Sequence, residues 1–307
     1  MTGPGTDPAL TGAGRPKPDR METASQTIAG QNMAEPAHES STEAGPTPAG
    51  RPPAVAIHGL RKTLITGFRR RRVEILRGVD LTVGDGEVFG LLGPNGAGKT
   101  TTLKVALGLM RPSAGSVSLG VDGAGEIGYL PENPYFYDYL TGRELLRFCA
   151  RLFALPDDVR EERVERALDQ VGLADAGGKQ LRKYSKGMLQ RIGIAQALIN
   201  DPRLVFLDEP MTGLDPVGRL EVKRIIEQLG ADGRTVVFNS HILSDVAELC
   251  SRIGIMGGGV VLWQGKVSEA TPSHGDGLED FFMEIVLGSE AAGELSASSC
   301  STREADS

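Results

Sequence analysis

Between Val88 and Met110 the chain passes from an apolar run, VFGLL, through Gly93-Pro94-Asn95-Gly96-Ala97-Gly98-Lys99-Thr100 and into the helix-compatible TTLKVALGLM. This strand, glycine loop and helix satisfy G-x-x-x-x-G-K-[ST] in full, and no other feature restricts the fold as strongly. Glycines let a backbone wrap closely round phosphate oxygens, with successive N–H groups aimed inward. The helix that follows adds the positive end of its dipole. Lys99 is expected at the β- and γ-phosphates and the Thr100 hydroxyl on Mg²⁺. Thr101 is placed to reach the α-phosphate. A nucleotide with Mg²⁺ is therefore the expected ligand, while the loop alone leaves the reaction open.

The rest of the chain fits this start. AVAIHGL, GVDLTV, EVFGLL, LVFLD, RTVVFNS and RIGIM read as short apolar strands. EVKRIIEQL and ILSDVAELC read as helical, and a largely helical block runs from Thr141 to Asn200, with Thr141 as N-cap and Glu144 in capping-box position. Buried strands alternating with helices predict an α/β fold with a mainly parallel sheet. No internal repeat is visible, so one such unit is expected.

Composition matters mainly at the ends. Residues 1–53 hold half of the 18 prolines and few aliphatics, and residues 288–307 are similarly polar, so both are expected to be disordered tails. Much of the formal net charge of -7 sits in those tails, and the near-neutral middle lacks the basic character of a nucleic-acid-binding domain. Cys149, Cys250 and Cys300 are far apart and match no metal-ligand spacing, as expected of free thiols in a reducing compartment. There is no apolar run long enough to span a bilayer, and MTGPGTDPAL does not read as a secretory signal, so a cytoplasmic location is expected.

A second constellation completes the chemistry. The strand LVFLD ends in Asp208, suited to holding Mg²⁺, and Glu209 beside it is placed to take a proton from an attacking water. His241 closes RTVVFNSH at the end of another strand, where side chains reach the same sheet edge.

In order along the chain, GPNGAGKT, YSKGMLQR, LVFLDEP, TGLD and NSH together resemble the ATP-binding cassette (ABC) ATPases across roughly 54–270. IGYLPENPYFYDYLTGRELL and the YSKGM form look more narrowly like ATP-binding subunits of ABC-2-type exporters. The resemblance implies a P-loop NTPase of the ABC ATPase type: a mainly parallel sheet core, a helical subdomain at about 132–200 and a small antiparallel β subdomain; beyond it a short C-terminal helical region is expected at 271–287. It implies ATP hydrolysis that powers transport, in the direction of export, through a separate integral-membrane permease, with the subunit peripheral on the inner face of the cell membrane. It also implies a homodimer in which Ser185, Lys186, Gly187 and Met188 act on the partner subunit's ATP, Asp215 links the two sites, and His241 contacts the γ-phosphate and attacking water.

Departures from the family pattern are specific. Lys186 and Met188 replace the usual Gly and Gln, a form the subfamily uses. Glu132 takes the place of the usual glutamine, where it would ligate Mg²⁺ or orient water. Leu64 falls where an aromatic usually stacks on adenine, and Phe68 is the candidate substitute. PYFYDYL is the candidate docking surface for the permease. The arginine run 69–72 reads as a solvated turn, with anionic lipid as a sharper alternative. A non-transport ABC ATPase and a non-hydrolysing regulatory subunit remain the alternatives at this point.

Overall fold

The computed structural model describes residues 52–67, 70–270 and 277–288. Phe68, Arg69, Cys300 and the segments 1–51 and 289–307 lie outside them. In chain order the elements begin with a β-hairpin, β1 (Val55–Thr66) and β2 (Arg71–Val83), then β3 (Val88–Leu92) and α1 (Lys99–Ala106). Next come β4 (Ala114–Leu119), β5 (Ile127–Leu130) and three helices, α2 (Gly142–Leu152), α3 (Asp157–Gln170) and α4 (Lys186–Leu198). The chain returns through β6 (Leu204–Asp208), α5 (Pro216–Ala231), β7 (Thr235–Ser240) and α6 (Leu243–Leu249). It then forms β8 (Arg252–Gly257), β9 (Val260–Lys266) and α7 (Val267–Ala270), and α8 covers 278–288.

Six strands make the central sheet in the order β5-β6-β7-β3-β8-β9, parallel except for β9 at the edge. A separate antiparallel sheet has the order β2-β1-β4. The expected mainly parallel core with a small antiparallel companion is therefore present. Strand alternation gives the central sheet two apolar faces. Leu92, Val205, Leu207 and Phe238 face a core shared with residues of α2 to α6. Phe89, Leu91, Phe206 and Val237 face a second core formed with α1 and the antiparallel sheet. Phe89, Phe206 and Phe238 are fully buried, each contributing roughly 2 kcal/mol of apolar transfer.

The helical block is three α-helices, and its start follows local chemistry. Thr141 Oγ1 accepts from Glu144 N at 3.2 Å, and Glu144 Oε2 accepts from Thr141 N at 2.8 Å, closing the capping box. One expectation is corrected at the hairpin. Arg71 and Arg72 are not turn residues: they open β2, paired with Thr66 and Ile65. At the start of an edge strand, and exposed, Arg71 and Arg72 cost the pairing little. Burial pushes the Cys149 thiol up to about 11 and raises that of Cys250 strongly; both are free and inert.

Candidate active site

The loop after β3 and the N-terminus of α1 form one wall of a cleft of about 530 Å³. It is lined by Pro94 to Thr101 together with Ile75, Glu132, Glu209, Thr212 and His241. The glycines are sterically required. Gly98 has φ 105°, and a Cβ there would lie 2.7 Å from Leu76 Cδ2. A Cβ on Gly93 would lie 2.4 Å from the Met256 carbonyl oxygen. Any side chain at either position would push the loop off the β2–β8 floor on which it rests.

Lys99 is buried, and its Nζ donates to the Gly93 carbonyl at 2.6 Å. Glu209 Oε1 lies 3.7 Å from the same Nζ. Burial lowers the Lys99 pKa, and the Glu209 carboxylate offsets part of that fall by favouring the ammonium. The ammonium is thus held at the mouth of the loop, where phosphate oxygens would compete for it.

The two carboxylates at the end of β6 are held differently. Asp208 is buried, and its Oδ1 accepts from Thr100 Oγ1 at 2.8 Å and from Asn239 Nδ2 at 2.6 Å. Thr100 and Asp208 therefore converge as a hydroxyl and a carboxylate, the hard oxygen donors that Mg²⁺ takes from protein when phosphates and water complete its shell. Glu209 leaves the strand with φ 51°, a conformation that costs a non-glycine residue on the order of 1 kcal/mol. Asn239 Oδ1 accepts from Glu209 N at 2.7 Å, so one buried amide fixes both acidic residues. The turn aims the Glu209 carboxylate back over the loop. Its Oε2 accepts from Thr212 Oγ1 and meets His241 Nδ1, both at 2.8 Å. Two acceptors would repel at that distance, so Nδ1 carries the proton and Nε2 faces away from Glu209.

Two more ion pairs fix the frame. Asp245 on α6 is buried and binds Arg219 Nη2 on α5 at 2.7 and 2.8 Å, with Lys223 Nζ at 3.1 Å. The helix after His241 is thereby tied to the helix after Asp215.

The structure brings together residues 93–101, Asp208, Glu209, Glu132 and His241. It does not bring the signature residues to this cleft. Ser185 caps α4, accepting from Met188 N at 3.3 Å, while Lys186, Gly187 and Met188 form its first turn, and none of the four lines the cleft. Lys186 Nζ instead lies over Gly213, where an added Cβ would be 2.1 Å away. Asp215 caps α5 by accepting from Gly218 N at 2.8 Å. Leu64 sits within β1 opposite Val73, away from the lining residues, and Phe68 lies outside the described residues. The cleft is also lined by Ile75, which sequence reasoning did not single out. Its signal was faint: the β1–β2 pairing skips Ile75, and only that irregularity turns an aliphatic strand residue towards the loop. Thr212 and Asn239 were missed as well, although both lie within motifs already recognised.

Comparison with known proteins adds an independent line. Residues 76–212 match the family model described as ABC transporter. An ABC transporter ATP-binding protein of Nostoc sp. is 53% identical over 227 residues, covering 71% of this chain and 68% of that protein. The fluoroquinolones export ATP-binding protein of Mycobacterium tuberculosis is 44% identical over 191 residues, covering 59% and 62%. The linearmycin resistance ATP-binding protein LnrL of Bacillus subtilis is 35% identical, covering 61% and 63%. Among solved structures, an ATP-binding subunit of an ABC transporter superposes with a TM-score of 0.64 at 29% identity, over 76% of this chain and 99% of that one. The cassette MJ0796, solved as a dimer in a post-hydrolysis state with ADP and Pi, gives 0.61 at 25% identity, over 69% and 98%.

Proposed function

This chain belongs to the ABC transporter ATPases and hydrolyses ATP, and from that premise we propose that it is the motor of an exporter whose permease is a separate integral-membrane protein. The observation that carries the reading is the placement of Glu209 between Lys99, Thr212 and His241 at the mouth of the phosphate loop. A carboxylate there accepts the proton of an attacking water, while Thr212 and His241 hold it in line. Lys99 and the loop N–H groups bind the β- and γ-phosphates. Thr100 and Asp208 would hold Mg²⁺, which when bound neutralises charge on the β- and γ-oxygens. Glu132 faces the same cleft and orients water or the metal's shell.

Two such chains pair, each presenting Ser185 to Met188 and Asp215 to the nucleotide of its partner. The position of these residues away from their own phosphate loop supports that reading, as does the dimeric form of the MJ0796 cassette. Export is favoured by the names of the fluoroquinolone and linearmycin relatives. No helix among the described residues is long and apolar enough to cross a membrane, which is why the permease is assigned to another chain. Its docking surface is PYFYDYL, where Tyr135, Tyr137 and Tyr139 are 93%, 55% and 61% exposed. The subunit then sits against the inner face of the membrane.

The reading is tested by Glu209→Gln, which should lower turnover at least 10²-fold while ATP binding persists, and should sediment as a dimer with Mg·ATP. Wild-type turnover in that variant would remove Glu209 as the base. For the permease, the complex purified with the membrane protein encoded beside this gene should lose assembly when Tyr135, Tyr137 and Tyr139 are replaced by alanine. Undiminished assembly would place the contact elsewhere.

A further inference from the structure

Among the described residues the buried carboxylic side chains are Asp208, Glu209 and Asp245, and the mechanism above uses only the first two. Asp245 lies on α6, four residues after His241. Arg219 Nη2 on α5 donates to both of its oxygens, at 2.8 and 2.7 Å, and Lys223 Nζ stands 3.1 Å from Oδ1. Taking a carboxylate wholly out of water is costly, and its partners do little more than offset that cost. A cluster of this kind contributes little net stability and a good deal of fixed geometry.

The helix does not need Asp245 in order to stay on the sheet. A Cβ on Gly90 of β3 would lie 2.4 Å from Val246 Cγ1 and 2.9 Å from Cys250 Sγ, so those side chains already press α6 against that strand. Apolar contact is non-directional, and it leaves open how the helix is turned and where it starts. α6 has seven residues and no side-chain cap at Ile242, and a helix so short is marginal by itself. The directional contact in its first turn is that of Asp245 with Arg219 and Lys223.

His241 depends on that start. It stands two residues before α6, its side chain is 42% exposed, and Nδ1 meets Glu209 Oε2 at 2.8 Å. A ring so exposed is not locked by packing, so the backbone that carries it has to be placed. The α5 side of the cluster is itself anchored: Arg219 N donates to the Asp215 carbonyl at 2.9 Å, and Asp215 Oδ1 accepts from Gly218 N.

We propose that Asp245 is a positioning residue for His241, setting the start of α6 against α5 so that the imidazole keeps its Nδ1 proton on Glu209. The inference rests on the reading of His241 and Glu209 given above.

The test uses the full chain carrying ¹⁵N-histidine at about pH 8, where an ordinary imidazole is neutral. Ring nitrogen shifts, read through the carbon-bound ring protons, give the tautomer, and His241→Ala assigns the signal. Wild type should hold its proton on Nδ1, and Asp245→Asn should show a mixture of both tautomers. The same variant should lose kcat about tenfold while its affinity for a non-hydrolysable ATP analogue stays at the wild-type value. Arg219→Gln removes the partner that is a third exposed, so it keeps the test open if Asp245→Asn does not fold, and it should move both readouts the same way. A wild-type tautomer in either variant overturns the proposal, whatever happens to kcat. An unchanged kcat overturns it as well, and so does a loss of analogue affinity in step with kcat, which would make the cluster a support for the whole cleft. If wild type does not hold the proton on Nδ1, the His241–Glu209 reading falls and takes this one with it. If wild type does and the variants match it, the role of Asp245 falls alone.

Discussion

Asn239 holds the two acidic residues of the site with one side chain, donating to Asp208 and accepting from the Glu209 amide. It is fully buried on β7, so losing it leaves a carboxylate oxygen and a backbone N–H without partners. Each such group costs about 1–3 kcal/mol. Asn239→Ala is therefore expected to lower the melting temperature and to reduce kcat more than tenfold, since Glu209 then relaxes out of its φ 51° turn. Thermal denaturation with a steady-state ATPase assay checks both; unchanged kcat would show that the turn is held by Thr212 and His241 alone. Residues of this kind were not legible beforehand. The chemistry-bearing side chains Lys99, Asp208, Glu209 and His241 follow from motif and position, because phosphate and proton transfer demand those types. Asn239 and Thr212 serve by touching them, and contact between β6 and β7 is not written in either strand.

At the scale of elements, Asp201 joins the helical block to the central sheet. It sits between α4 and β6, and its Oδ2 pairs with Arg163 Nη1 at 2.6 Å and Arg166 Nη2 at 3.0 Å, both from α3. Its Oδ1 accepts from Arg234, just before β7. Burial alone would raise this carboxyl, but hydrogen bonds from Arg234 and Arg163 outweigh it and bring it from 3.8 to about 2. A depressed carboxyl contributes stability that is fully present above pH 4 and is lost as pH falls from about 4 to about 2. Because the side chain is a third exposed, the contribution is discounted to on the order of 1 kcal/mol. Asp201→Asn should unfold earlier at neutral pH and show a flatter acid limb between pH 4 and pH 2. Parallel acid titrations by circular dichroism decide it: coincident limbs would mean the clamp contributes nothing. Several elements escaped sequence reading for a related reason. β4, AGSVSL, is exposed and poor in apolar residues, and it exists only because β1 offers it hydrogen-bonding partners. β9 likewise depends on β8, while the fully buried strands β6 and β7 announced themselves by composition.

For the whole molecule the position of α4 is decisive. Its first turn, with Gly187 lying against Gly218 of α5, does not line the cleft of its own phosphate loop. A Cβ at Gly187 would meet its nearest atom at 3.7 Å, an ordinary contact, so a side chain there does not disturb the fold. Gly187→Asp places a negative charge where the partner's γ-phosphate is proposed to dock. It should keep the melting temperature and the monomer's ATP affinity while abolishing ATP-dependent dimerisation, measured by sedimentation in the Glu209→Gln background. A dimer of normal stability would remove the signature segment from the interface. By itself the sequence determined the α/β class, the phosphate loop and the side chains proposed to work on ATP, because each is fixed by local backbone chemistry or by short motifs. Only the tertiary structure decided which side chains hold them. The bridge from Asn239 on β7 to Asp208 and Glu209 at the end of β6 arises from strands that are neighbours in space and distant along the chain. Their register comes from burying two faces of one sheet, a constraint that no local stretch of residues records.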